Sequence, residues 1–249
     1  MERFFCVSVL SFYFDQRPGR YVIESCQGRC DKVYYGYCKR EQRIMMNEEQ
    51  KIYFDAYSKQ IEDVLDLVMT RLKVMLDEVS KDPEQAPFEH LICRIKSVES
   101  IKEKLIQRGL PDDVASAVKN LNDIVGIRVV THFIGDIYSI LDMIYEHSSW
   151  DVVQVKDYIA TPKENGYRSL HVIIRVPFEN SDEGMGVELQ LRTIAMDCWA
   201  ALEHKIRYKK HVKNTALISA ELKRCADEMA STDLTMQTIR DVLAQTEKL

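Results

Sequence analysis

The chain has 249 residues and a formal net charge of −5, with 34 Lys+Arg against 39 Asp+Glu, and 46% of its residues are hydrophobic. That is the composition of a globular protein of one large domain, or one domain with helical additions. No apolar run reaches the roughly 20 residues that span a bilayer, so no membrane partner is expected, and the charge balance gives no case for binding nucleic acid, RNA included.

Residues 1–45 show no sustained period. The apolar stretch "FFCVSVLSFYF" at 4–14 follows one Arg, as a leader would, but no small-residue cleavage site comes after it. The segment carries 8 Lys+Arg against 5 Asp+Glu, opposite in sign to the rest, and holds Cys6, Cys26, Cys30 and Cys38 of the seven cysteines. Cys26, Cys30 and Cys38 are metal ligands by type, yet no fourth Cys or His lies nearby and there is no CxxC. The reading is a disordered or non-native extension, with a natural start at Met45 or Met46; a redox or metal-sensing arm is the sharper alternative. Cys93, Cys198 and Cys225 stand far apart, which suits reduced thiols and a cytoplasmic protein.

From about 49 to 79, Tyr53, Tyr57, Ile61, Val64, Leu65, Val68, Leu72, Leu76 and Val79 fall at helical intervals. They predict one long amphipathic helix of about 45 Å, broken by "KDPEQAP". A short strand or turn around 90–95 precedes a helix that Ser97 or Ser100 can cap and Gly109 can end. Asp112 or Asp113 starts another, running to about Leu121. "IVGIRVVTHF" at 124–133 is β-branched and reads as a buried strand. A helix over 136–147 and strands over 151–156, 168–176 and 186–192 follow, then helices near 194–209, 216–230 and 233–247. The pattern is α/β: a mixed sheet flanked by helices, with long helices at both ends.

In "VELQLRT", Val187, Leu189 and Leu191 point one way and Glu188, Gln190 and Arg192 the other. Three polar positions on one strand face are costly when buried without partners, so the face is wet or lines a site. Leu170, Val172, Ile174 and Val176 likewise put His171 on the opposite face of their strand. Asp123 stands at the mouth of the "IVGIRVV" strand, which also carries Arg128. A carboxylate there and Glu188 on a second strand can share a divalent cation such as Mg²⁺, which wants a hard-oxygen pair, although spacing alone does not bring these two acids together. In "RIKSVESIKEK", Arg94 and Lys96 alternate, and Ser100 and Lys104 lie one helical turn apart; a helix N-terminus so furnished is a phosphate site, or else a solvated basic face. In "DYIATPKENGYRSLHVII" the turn needs only the Gly and the Asn. Lys163, Tyr167 and His171 are left over: a cation for phosphate, a ring for a flat base and a donor, together one wall of a nucleotide pocket.

"DIVGIRVV", "KDYIATPKENGYRSLH" and "VELQLRTIAMDCWAALEHKIRYK", in this order, resemble the synthetase domain of the RelA/SpoT family, and "RIKSVESIKEK" fits its upstream ATP element. The resemblance covers about residues 50–210. None of the six His is followed by Asp, so the His-Asp motif of the family's hydrolase half is missing, and the chain looks like a small alarmone synthetase. The resemblance implies a nucleotidyltransferase-like fold and transfer of the β,γ-pyrophosphate of ATP to the 3′-hydroxyl of GDP or GTP. It makes Asp123 and Glu188 the Mg²⁺ carboxylates, with Glu188 also the general base. Arg94 and Arg128 become the adenine sandwich, and Lys96, Ser100 and Lys104 the phosphate holders. Tyr167 becomes the guanine stack, with Lys163, Asn165, His171 and Gln190 around the acceptor. It divides the chain into an extension (1–45), a synthetase domain (46–210) and C-terminal helices (211–249) that serve oligomerisation, the family's small members being typically homotetramers. Leu217, Leu222, Leu234, Ile239, Val242 and Leu243 would face another subunit, or pack within the chain.

Two departures stand out. In the long family members the residues before "DYIA" come in basic or acidic versions linked to GTP or GDP preference; here they are Gln154, Val155 and Lys156, a mixed case that assigns neither. His90 and Ile92 replace the aromatic and Thr of the product-activated subgroup. Transfer to another acceptor, such as an adenosine nucleotide or a tRNA 3′ end, and a non-catalytic nucleotide- or RNA-binding regulator remain as alternatives; the intact Asp123 and Glu188 pair speaks against the latter.

Overall fold

In the computed structural model, residues 12–14, 21–23, 41–42, 45–79, 86–147, 150–181, 183–207 and 215–246 are described. The chain divides into two compact units, residues 1–40 and 41–249. In the first, β1 (Phe12–Phe14) pairs antiparallel with β2 (Tyr21–Ile23); the remaining residues of this unit, Cys6, Cys26, Cys30 and Cys38 among them, lie outside the described ones, and so do the expectations of a disordered extension or a metal-sensing arm.

The second unit is built on a six-stranded mixed sheet of order β3-β4-β5-β8-β7-β6. Its strands are β3 (Glu41–Gln42), β4 (Phe88–Ile95), β5 (Val125–Thr131), β6 (Asp151–Asp157), β7 (Leu170–Pro177) and β8 (Gly184–Thr193). β3 lies parallel to β4 and β5 parallel to β8, while β4–β5, β6–β7 and β7–β8 are antiparallel. The central strands alternate as their sequences require. Val125, Ile127 and Val129, with Val187, Leu189 and Leu191, and with Leu170, Val172, Ile174 and Val176, are almost wholly buried, each side chain stabilising the fold by roughly 1.5–3 kcal/mol. The opposite face carries the polar set.

The first helical run is not continuous. Asn47 and Gln50 form a capping box that starts α1 (Glu48–Phe54), and the chain then turns at Asp55, φ 44°, through a 3₁₀ turn (Asp55–Tyr57) into α2 (Ser58–Val79). An apolar period survives such a break because it records burial, not backbone continuity: Phe54 and Ile61 are both fully buried. Gln50 also donates to the carbonyls of Ile95 (3.1 Å) and Lys96 (3.0 Å), so α1 fixes the end of β4. Ser97 caps α3 (Val98–Gln107), Gly109 leaves it at φ 65°, and Asp113 caps α4 (Val114–Asn120).

α5 (Ile134–His147) and α6 (Ile194–Arg207) pack on β5 and β8. The two C-terminal helices expected from sequence are one helix, α7 (Thr215–Thr246). The polar "STD" between them is no breaker: Thr232 and Thr235 turn their hydroxyls back onto the carbonyls of Glu228 (3.1 Å) and Ser231 (2.9 Å). No described helix is long and apolar enough to cross a membrane.

Candidate active site

The sheet register collects the polar residues into two rows. One runs Ile92, Arg128, Gln190, His171, Lys156 and the next Arg94, Gly126, Glu188, Ile173. Directly opposed residues share a face, so Arg94 and Arg128, Glu188 and Gln190, and His171 all stand on the side away from the aliphatic core. Arg94 lies over Gly126, where a Cβ would stand in ordinary contact with its Nε, at 3.6 Å.

The Asp123 loop is pressed onto this face. Lys96 N donates to Ile124 O at 2.8 Å, and a Cβ at Gly186 would sit 2.7 Å from Asn122 Cα, so only glycine lets the loop approach two residues from Glu188. Lys96 Nζ and Lys104 Nζ both donate to Asp123 Oδ2, each at 2.7 Å. Burial would raise the Asp123 carboxyl, but the two ammonium groups outweigh it and hold it below the usual range. Its other oxygen, Oδ1, is buried without a hydrogen-bond partner. Ser100 sits one turn before Lys104, in the turn that Ser97 caps, and its hydroxyl meets Ser97 Oγ at 3.0 Å.

Glu188 is held at both oxygens. His171 Nδ1 lies 3.1 Å from Oε1, and Gln190 Nε2 donates to Oε2 at 2.6 Å. Burial again pushes upward and Asp123 adds to it, yet the His171 and Gln190 bonds prevail and keep the carboxyl low. Glu188 is therefore an ionised, oriented carboxylate. Asp123 is near enough for its charge to bear on the Glu188 carboxyl.

Tyr167 closes the other end. Its hydroxyl lies 2.8 Å from His171 Nε2, and its ring meets Tyr158 edge-on at 6.1 Å, with Lys163 Nζ 4.9 Å from its centroid. Lys163 also lies 4.6 Å from the Tyr158 ring centre. Asn165 also shapes the turn: Oδ1 accepts from Tyr167 N (3.2 Å) and Nδ2 donates to Glu203 (3.3 Å). Gly166 has φ 90°, and a Cβ there would meet that of Ala226 on α7 at 2.6 Å. Arg168 reaches Ala226 O (3.3 Å) and Asp227 Oδ1 (3.0 Å), so α7 props the turn from behind.

The structure thus places the sequence-predicted residues on one face: Arg94, Lys96, Ser100, Lys104 and Arg128 toward β4 and α3, and Lys163, Tyr167, His171 and Gln190 toward β7. Three participants were not singled out from sequence. Arg192 Nη2 donates to Tyr167 OH (2.6 Å) and Gln190 Oε1 (3.1 Å). Asp197, in the first turn of α6, pairs with both Arg128 (3.0 Å) and Arg192 (3.1 Å). Tyr158 packs edge-on against His171 at 5.2 Å. The polar alternation of "VELQLRT" already marked Arg192 as facing this side; Asp197 lies in a helix whose phase relative to the sheet no local pattern reveals.

Two carboxylates suit Mg²⁺, which is held by one or two of them and completed by phosphate oxygens and water. The partnerless Oδ1 of Asp123 fits that need. Among the described residues no group of three or more His, Cys, Asp or Glu forms a closed metal cage.

Comparison with known proteins agrees with this geometry. Residues 93–213 match the family model described as "Region found in RelA / SpoT proteins". The GTP pyrophosphokinase YwaC of Bacillus subtilis (strain 168) is 41% identical over 165 residues, covering 66% of this chain and 79% of that relative. The chain belongs to the RelA/SpoT family. A second GTP pyrophosphokinase of the same organism, YjbM, is 32% identical over 161 residues, 64% of this chain and 75% of its own. Among solved structures, the small alarmone synthetase 2 of Bacillus subtilis superposes with a TM-score of 0.62 at 39% identity, covering 72% of this chain and 93% of that one. Small alarmone synthetase 1, bound to its product pppGpp, gives 0.67 at 29% identity, covering 77% and 98%. The sheet and its flanking helices are the fold of these synthetases.

Proposed function

We propose that this RelA/SpoT-family chain is a GTP pyrophosphokinase that moves the β,γ-pyrophosphate of ATP to the 3′-hydroxyl of GTP or GDP and releases AMP. One observation carries the reading. An ionised Glu188, fixed at both oxygens, stands beside Asp123 between a cationic donor side and an aromatic acceptor side.

Arg94 and Arg128 take the adenine. Lys96 and Lys104 exchange part of their hold on Asp123 for the triphosphate, with Ser100 at the helix N-terminus beside them. On the other side Tyr167 stacks on guanine, and Lys163, Asn165, His171 and Gln190 border the acceptor. The acceptor's 3′-oxygen attacks the β-phosphorus, the bond from that phosphorus to the α,β-bridging oxygen breaks, and AMP leaves. Glu188 takes the proton lost by the hydroxyl. Asp123 and Glu188 would hold Mg²⁺, which supplies charge neutralisation of the polyphosphate. Positioning and neutralisation carry such a transfer, because the moving group is anionic throughout.

Lys156 stands opposite His171 in the sheet register, so the mixed Gln154–Val155–Lys156 segment reaches the acceptor end, where GDP and GTP differ. A homo-oligomer, the tetramer of the small family members, is supported by the outward apolar residues of α7. A cytoplasmic setting is supported by the nucleotide substrates and by Cys93, Cys198 and Cys225, none of which is joined in a disulfide.

The test is γ-labelled ATP with Mg²⁺ and, in separate reactions, GDP, GTP, an adenosine nucleotide and tRNA. Label is expected in a guanosine product, and Glu188→Gln is expected to remove most turnover, about 100-fold or more, while the fold persists. Label appearing only with another acceptor, or near-normal turnover by the folded variant, refutes the assignment.

A further inference from the structure

Asp197 is the point where the two halves of the site meet. Its Oδ1 takes both guanidinium groups, Arg128 at 3.0 Å and Arg192 at 3.1 Å, and its side chain is only 15% exposed. The Arg192 side chain is 6% exposed. Two largely desolvated cations this close repel each other, and only a shared anion makes the arrangement tolerable. Asp197 supplies it from the first turn of α6, where the helix dipole also favours a carboxylate.

Arg192, once fixed, is the head of two hydrogen-bond chains. A guanidinium can only donate, so Tyr167 OH accepts from it at 2.6 Å and turns its own proton toward His171 Nε2 at 2.8 Å. A neutral imidazole then carries its proton on Nδ1, facing Glu188 Oε1 at 3.1 Å. The second chain runs from Arg192 to Gln190 Oε1 at 3.1 Å, and from Gln190 Nε2 to Glu188 Oε2 at 2.6 Å. Every donor in both chains points toward Glu188, and every one is ordered by Arg192.

We propose that Asp197 is a positioning residue coupling the donor and acceptor subsites: through Arg128 it sets the adenine side, and through Arg192 and the Tyr167 hydroxyl it sets the acceptor side. The proposal rests on the reading of Arg128 and Tyr167 as the two base-holding residues.

The experiment is a double-substitution cycle on the full chain with Asp197→Asn and Tyr167→Phe, which keeps the ring and removes only the hydroxyl. KM values for ATP and GTP and the dissociation constants of a non-hydrolysable ATP analogue and of GTP are measured, so the cycle stays readable in binding if the wild type proves inactive in transfer. Asp197→Asn is expected to weaken both nucleotides about fivefold or more. In the Tyr167→Phe background its effect on GTP is expected to shrink to what passes through Gln190, while its effect on ATP persists in full. Asp197→Glu, which keeps the charge, is expected to recover part of both, and replaces the Asn variant in the cycle should that variant not fold. An effect of position 197 confined to one nucleotide, or a GTP effect of equal size with and without the Tyr167 hydroxyl, overturns the proposal.

Discussion

Tyr167 does two separable jobs. Its ring offers a flat face at the end of the polar row, while its hydroxyl links Arg192 to His171. Tyr167→Ala removes both, and acceptor affinity is expected to fall by roughly 1–3 kcal/mol, the worth of one base on one aromatic ring. ATP affinity should stay nearly constant, because Arg94 and Arg128 stand on β4 and β5 and Arg128 is held by Asp197 rather than by Tyr167. Titration of each nucleotide against the variant measures this; equal losses for both would mean a damaged fold. At this scale the sequence was most legible where side-chain alternation did the sorting. Glu188 and Gln190 had to share a face, and His171 had to leave the aliphatic one. Asp197 was not legible, since its partners lie on β5 and β8 and nothing local relates α6 to either.

Among the elements, α7 is patterned the reverse of an ordinary surface helix. Ala226, Asp233, Gln237 and Arg240 recur at intervals of seven, four and three and meet the domain, yet Met236, Ile239, Val242 and Leu243 are at least half exposed. The contacts inward are polar: Gln237 accepts from Gly135 N (2.8 Å), Arg240 pairs with Asp136, and Asp233 accepts from Thr193 Oγ1. Sequence left open whether the apolar positions pack within the chain; Leu217, Leu234, Ile239, Val242 and Leu243 do not. Asp233 titrates against its surroundings: burial raises its carboxyl, and the Thr193 bond only partly opposes this. A carboxyl whose folded value lies above its unfolded one favours the fold while protonated, and that advantage is lost as pH rises from the unfolded value through the folded one. Asp233→Asn keeps an acceptor for Thr193 and does not titrate. Its melting temperature is therefore expected to gain on that of the wild type as pH climbs through and above the ordinary carboxylate range. Thermal unfolding across pH checks this, and a difference independent of pH would refute it.

At the scale of the molecule, the unit that carries the site begins at Glu41, a few residues before the boundary expected at 45. The reason is β3, which pairs Glu41 with Leu91 and Gln42 with Ile92 on the outer edge of β4. We propose that residues 1–40 are dispensable for turnover and assembly. A chain starting at Glu41 is expected to keep kcat and KM within about twofold, as expected for changes worth under ~0.5 kcal/mol, and to show by light scattering the same number of subunits as the full chain, more than one. Loss of activity, a change in subunit number on truncation, stoichiometric zinc on the full chain, or a monomer mass for both forms would each count against that reading.

What the sequence determined by itself was everything that depends on a short-range period. Alternation marked the core face of β7 and β8, helical spacing found the apolar stripe of residues 53–79, and capping side chains marked where α3 and α4 begin. Long motifs in order pointed to the family, because residues tied to one reaction recur together. Only the tertiary structure decided what depends on distance across the fold. It set the register that lines Arg128, Gln190 and His171 in one row, and it brought the Asn122–Asp123 loop against Gly186. It broke the first helix at Asp55, where apolar spacing cannot see a change of direction. It also joined the last two, where buried and exposed sides both continue through "STD", and it placed Asp197 between two arginines. Local chemistry repeats every two or four residues and can be read along the chain. The pairing of strands and the phase of a helix against a sheet are set by packing between segments tens of residues apart.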